Sequence, residues 1–211
     1  MTIYPNCKKA CGSHIVAEVL YLRLHFIGGR CEKMTEKLPI TLRPLCMDDA
    51  PALAWAMNNQ RVQENLRDGI PYPYAEKDAE EFISKFLAAE PDTQYLHVIC
   101  YEGKYVGGIG VFRRENIHRL TAEIGYHLAE PFWGRGIITE AIHKMCTYIF
   151  ERTDIVRIFA EPFADNVASC RVLEKVGFQF EGVMRENAIK NGQFLDMRLY
   201  SVLKSEWRTQ T

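Results

Sequence analysis

Ten residues, Phe132-Trp133-Gly134-Arg135-Gly136-Ile137-Ile138-Thr139-Glu140-Ala141, constrain this chain more than any other segment. A run rich in β-formers, Thr121 to Leu128, ends just before them, and an amphipathic helix reaching about Glu151 begins within them. Unpaired N–H groups at a helix start converge on an anion, glycines let that anion approach the main chain, and the macrodipole adds roughly 0.3–1 kcal/mol. Arg135 can add charge. A bare Gly-x-Gly is more often a plain turn into a helix, so the rest of the pattern has to decide.

The other glycine-bearing stretch, Gly107-Gly108-Ile109-Gly110, lies inside a strand pattern, where glycines mark a bulge or a close approach of backbones. Neither a Walker Gly-x-x-x-x-Gly-Lys-Ser/Thr nor a full Gly-x-Gly-x-x-Gly occurs, which disfavours an ATPase or a nicotinamide enzyme. Lys plus Arg (26) nearly balances Asp plus Glu (27), leaving −1 and no electrostatic reason to expect DNA as a partner. The seven cysteines form no Cys-x-x-Cys pair and no zinc pattern, so no metal is expected and the thiols read as reduced. The longest apolar stretch, His14 to Gly29, is broken by Glu18, Arg23 and His25 and lacks a small-residue cleavage site. No membrane association is expected, and the chain reads as cytoplasmic.

At 211 residues and 47% hydrophobic, the chain can bury the core of one domain. The first 33 residues differ from the rest. Lys8, Lys9, Arg23, Arg30 and Lys33 against Glu18 and Glu32 leave them at +3 and the remainder at −4. Two readings stand: a misassigned extension with the true start at Met34, or a real extra element packed on a domain spanning 34–211. Within that domain the pattern predicts a strand Ile40 to Leu45 and a helix from about Asp48 with Leu53, Trp55 and Met57 on its apolar face. After a turn-rich stretch, a helix Ala75 to Ala89 carries Phe82, Ile83, Phe86 and Leu87 at helical spacing. A three-strand meander follows (Tyr95 to Tyr101, Tyr105 to Phe112, Thr121 to Leu128), then the long helix. A strand Val156 to Glu161, a helix Asn166 to Val176 and a hairpin turning at Lys190-Asn191-Gly192 complete it. The fold class is α+β, one mixed, mostly antiparallel sheet flanked by helices.

The helix Asn166-Val-Ala-Ser169-Cys-Arg-Val-Leu173-Glu-Lys-Val-Gly177-Phe178 is opened by Asn and closed by Gly. With it, the Tyr72-Pro73-Tyr74 segment, Ala122-Glu123-Ile124-Gly125-Tyr126 and Trp133-Gly134-Arg135-Gly136 stand in an order that resembles the GNAT family of N-acetyltransferases, and more closely its RimJ/RimL branch of ribosomal-protein N-terminal acetyltransferases. The resemblance runs from about Pro39 to Trp207. It implies a sheet splayed at the strand ending in Leu128, with acetyl-CoA as cosubstrate. The pantetheine arm would pair with Tyr126, His127 and Leu128. The pyrophosphate would lie on Trp133, Gly134, Arg135, Gly136, Ile137, Ile138 and Thr139. A homodimer is a further family-level expectation.

Two positions depart from the family pattern. The Gln or Arg that commonly precedes the first loop glycine by three positions is Pro131, a small loss where backbone N–H groups do most of the binding. The tyrosine that commonly precedes the helix-ending glycine by four, and protonates the departing thiolate, is Leu173. Ser169 is similar to the serine that the RimJ/RimL branch offers instead, although a serine three residues after a cap can simply bond backbone. Asn166 is a helix cap whose amide the resemblance also brings to the cofactor, and it is grouped with Glu123 and Ser169 as catalytic.

Attack by a primary amine on a thioester requires a base, and an α-amino group with a pKa of about 7.7–8.0 asks for only a modest one. Glu123 is the chosen carboxylate; it shares a strand face with Gly125 and His127, the rival base. A solvated strand carboxylate and a packing histidine are the plainer readings. The thioester oxygen would be met by a backbone N–H near Tyr126 to Leu128. Trp55, Tyr72 and Tyr74 are candidates for the acceptor pocket, and Glu161 and Asp196 for gripping an amine. The acceptor is read as a protein N-terminus or a small-molecule amine. The alternative from another class is a CoA-binding sensor or scaffold without turnover, motivated by Leu173.

Overall fold

The computed structural model describes residues 38–207. The expectations for residues 1–33 and for Met34 as a start lie outside them. Seven strands form one sheet in the order β1-β2-β3-β4-β5-β7-β6. They are β1 (Ile40–Pro44), β2 (Gln94–Tyr101), β3 (Lys104–Arg113), β4 (Thr121–Leu128), β5 (Arg157–Ala160), β6 (Gln179–Lys190) and β7 (Gln193–Leu203). Every pairing is antiparallel except β4 with β5. That parallel pair is the one that needs a long crossover, which the helix α4 (Ile137–Arg152) supplies.

The helices divide between the two faces. Ile137, Ala141, Ile142, Met145, Cys146 and Ile149 of α4 are buried against β-sheet residues such as Ile109, Ala122, Ile124 and Ile158, together with Cys170 and Leu173 of α5 (Val167–Val176). On the other side α1 (Ala50–Met57) and α3 (Glu76–Leu87) bury Leu53, Met57, Ala79 and Ile83 against Val98, Cys100 and Tyr105. Two further short helices among the described residues, α2 (Gln60–Gln63) and α6 (Lys204–Trp207), were not singled out by the sequence pattern; Asn59 caps α2 by accepting from the Arg61 N–H at 2.9 Å.

Local turn chemistry gave dependable predictions. The β6–β7 hairpin turns at Asn191-Gly192, with φ of 51° and 76°, the left-handed pair that a two-residue turn needs. The Gly107-Gly108 reading also holds: β2 and β3 shift register at Ile99/Cys100, and a Cβ on Gly108 would come within 2.7 Å of the His127 ring. Helix faces were less dependable. Trp55, Phe82 and Leu87, expected on apolar faces, are 39%, 43% and 53% exposed. The helices lie over a sheet on one side only, and small residues such as Ala50, Ala54 and Ala79 make much of the contact instead.

Candidate active site

The two edges of β4 differ. Along β3 it is paired throughout, from Gly107↔Leu128 to Arg113↔Ala122. On its other side β5 meets only Thr121, Ala122 and Glu123 before passing on to β7 through Ala160↔Tyr200. Pro162, two residues past the end of β5, has no N–H with which to extend a ladder. The edge from Ile124 to Leu128 therefore faces an open wedge, and its free backbone groups suit an extended polar arm.

At the far end of β4 the chain passes through a 3-10 turn (Glu130–Phe132) into the glycine loop. Gly134 and Gly136 have φ of +74° and +75°, which side-chain-bearing residues rarely adopt. Gly136 caps α4 without any side-chain hydrogen bond, leaving the first-turn N–H groups of Ile137, Ile138 and Thr139 to a ligand. The Trp133 indole Nε1 donates to the Leu128 carbonyl at 2.7 Å, fastening the loop to the strand. Arg135 lies over the Phe132 ring at 5.4 Å, and Arg61 over Trp133 at 5.5 Å. Pro131 is inside the preceding turn, where its fixed φ fits. These residues match what a pyrophosphate requires: backbone donors, glycine access and a helix dipole.

At the near end of β4 lies Glu123, its side chain 14% exposed, paired with the Arg67 guanidinium and 3.7 Å from that of Arg114. Glu123 stands beside Phe159 of β5, where the wedge closes. Burial, joined by the charge of Glu123, pushes the Glu161 carboxyl above the usual carboxylate range. On the opposite face, Tyr126 and Ser169 bring their hydroxyl oxygens to 2.7 Å. The Asn166 side-chain oxygen accepts the Ser169 backbone N–H at 3.1 Å, so the cap uses the serine's main chain and leaves its hydroxyl to Tyr126. Burial raises the Tyr126 phenol pKa, so the phenol stays protonated at neutral pH. Leu173 is wholly buried in the core beneath α5.

Other expected residues have different surroundings. His127 Nε2 lies 3.1 Å from the Tyr105 hydroxyl, and burial lowers the imidazole to about 4, leaving it neutral at physiological pH. Asp196 Oδ1 accepts the Glu186 N–H at 2.8 Å within the β6–β7 irregularity. Trp55 and Tyr74 line a cavity of about 450 Å³ beside Glu130 and Pro131; Tyr72 is not among its lining residues. Sequence reasoning did not single out Arg67, Arg114 or the Tyr126 hydroxyl. Arg114 was within reach, because Phe112 pairs with Glu123 and the residue two along shares that face. Arg67 carried no local signal, since 56 residues separate it from Glu123.

The sequence profile of the acetyltransferase (GNAT) domain matches residues 40–179. The Bacillus subtilis (strain 168) protein YdaF is 34% identical over 171 residues, covering 80% of this chain and 93% of YdaF. The N-acetyltransferase p20 of Bacillus licheniformis is 30% identical over 175 residues, covering 82% and 96%. Among solved structures, RimL, a ribosomal L7/L12 α-N-protein acetyltransferase in complex with coenzyme A, superposes with a TM-score of 0.72 at 26% identity, over 78% of this chain and 94% of RimL. Mycobacterium smegmatis RimJ in complex with CoA-disulfide gives 0.72 at 26%, over 81% and 86%. The open wedge and uncapped glycine loop thus lie in a chain that belongs to the GNAT family, in its RimJ/RimL-like branch: an acetyl-CoA-dependent N-acetyltransferase.

Proposed function

We propose that the chain acetylates a primary amine, a protein N-terminus or a small-molecule amine, by direct attack at the point where the wedge closes. Acetyl-CoA supplies the thioester. Ile124 to Leu128 receive the pantetheine arm along the free edge, and Gly134, Gly136 and the first turn of α4 receive the pyrophosphate. Glu123 accepts the amine's proton as the C–N bond forms. The C–S bond breaks toward the α5 face, where the Ser169 hydroxyl hydrogen-bonds the departing sulfur.

The observation that carries this reading is the pair of faces on β4. Side chains alternate across a strand, so Glu123 and Tyr126 project to opposite sides. The base, where the wedge closes, and the Ser169–Tyr126 pair, three residues along the free edge, thus lie on opposite sides of the strand. Each hydroxyl carries one hydrogen, and for Ser169 to donate to sulfur the Tyr126 hydrogen must point at Ser169 Oγ. The raised pKa of the phenol keeps that hydrogen in place. His127 is a poor base by comparison, held neutral with its proton affinity lowered by burial.

The deciding experiment compares Glu123→Gln with the wild type in both acetyl-CoA affinity and turnover. Unchanged affinity with turnover lowered across the neutral pH range supports the assignment. Full turnover in the variant removes Glu123 from the chemistry.

A further inference from the structure

Two carboxylates and two guanidiniums meet at the Glu123 end of β4, and their arrangement bears on which amines enter. Arg67 lies on the segment between α2 and α3, with its side chain 74% exposed, and pairs with Glu123. That segment is held to the β6–β7 hairpin by Lys190, whose Nζ donates to the Gln63 carbonyl at 2.8 Å and also to that of Leu66. Arg114 is planted from the other side. Its backbone N–H donates to Thr121 at 2.9 Å, its guanidinium lies 5.7 Å from the centre of the Phe159 ring, and its side chain is 53% exposed. Glu161 feels the charges of Glu123, Arg67 and Arg114 together, which places all four groups in one electrostatic neighbourhood.

We infer that the acceptor is an amine with a carboxylate close beside it: an amino acid, or a peptide with an acidic residue at its first positions. The inference rests on Glu123 facing the acceptor. An amine that takes Glu123 from Arg67 leaves a guanidinium unpaired beside a second one. A carboxylate on the same molecule restores both pairings, with the amine on Glu123 and Glu161 and the carboxylate on Arg67 and Arg114. A polyamine instead brings a second cation toward two fixed ones, a repulsive element that discriminates against it.

The test measures kcat and KM by thiol release for matched acceptors differing only in carboxylate against carboxamide. The pairs are a Ser-Asp against a Ser-Asn peptide and a free amino acid against its amide, with spermidine as the purely cationic probe. We expect a preference of about tenfold or more for the carboxylate member of at least one pair, appearing mainly in KM; which pair shows it tells peptide from free amino acid. Arg114→Gln and, separately, Arg67→Gln each erase that preference, read within each variant as the ratio of kcat/KM for the carboxylate and carboxamide members of a pair. Amides or spermidine used as well as the carboxylates, or a preference that survives both substitutions, overturns the inference. Glu123→Gln, run on the same panel, separates the underlying reading: full turnover there removes the acceptor face itself.

Discussion

The two ends of the proposed site along β4 are built by opposite means. At the Leu128 end the site is built of main chain, from glycines with φ of +74° and +75° and the unbonded first turn of α4. At the Glu123 end it is built of side chains drawn from separate segments, Arg67, Arg114 and Glu161, and midway along the strand Ser169 reaches Tyr126 from α5. A site made of backbone tolerates side-chain changes and resists changes of φ. A site made of side chains does the reverse. On that basis Pro131, at a position where the family's general pattern has Gln or Arg, is expected to cost little, and single substitutions near Glu123 are expected to cost more.

The largest effect should come from Glu123→Gln, which is expected to lower kcat/KM by roughly 10²–10⁴ with acetyl-CoA affinity unchanged in calorimetry. Ser169→Ala should follow, lowering kcat by about 10- to 100-fold, and Tyr126→Phe should reproduce a smaller part of that loss, about tenfold, because it only orients the serine. If Tyr126→Phe costs as much as Ser169→Ala, the two hydroxyls act as a unit. Gly134→Val should weaken acetyl-CoA binding by about tenfold at little cost to kcat under saturation, since a β-branched residue resists positive φ. A Cβ there meets no neighbour within 4 Å, so the chain itself should still fold. Pro131→Gln should change binding by no more than about twofold, the smallest loop effect expected.

The Leu128 end also bears on stability, through His127. Its imidazole is lowered by burial to about 4, so between the ordinary value of 6.5 and 4 the unfolded chain binds a proton that the folded chain refuses. Stability should therefore be fully present above pH 6.5 and fall as the pH drops toward 4, by up to about 3 kcal/mol from this group. Urea denaturation across that range should show the slope in the wild type and a reduced slope in His127→Gln.

Much of the architecture was legible because its causes are local. Asn191-Gly192 had to turn, Gly177 had to end α5 at φ 100°, and the alternation through β2, β3 and β4 set which residues share a face. The glycine loop was legible for the same reason, since a strand, two glycines and a helix start are consecutive in the chain. Helix faces were read less well, because Trp55, Phe82 and Leu87 fit a helical period but look outward over a one-sided contact.

By itself, then, the sequence determined the order of elements, the turns and the anion-binding loop, all of which depend on φ preferences and spacing within a few residues. The tertiary structure decided the rest. Inserting β5 between β4 and β7 opened the wedge. Packing α5 against the sheet carried Ser169 to Tyr126 across 43 residues of sequence, and the segment after α2 carried Arg67 to Glu123 across 56. Contacts of that range depend on where burial of the two cores leaves each element, and no local preference records it.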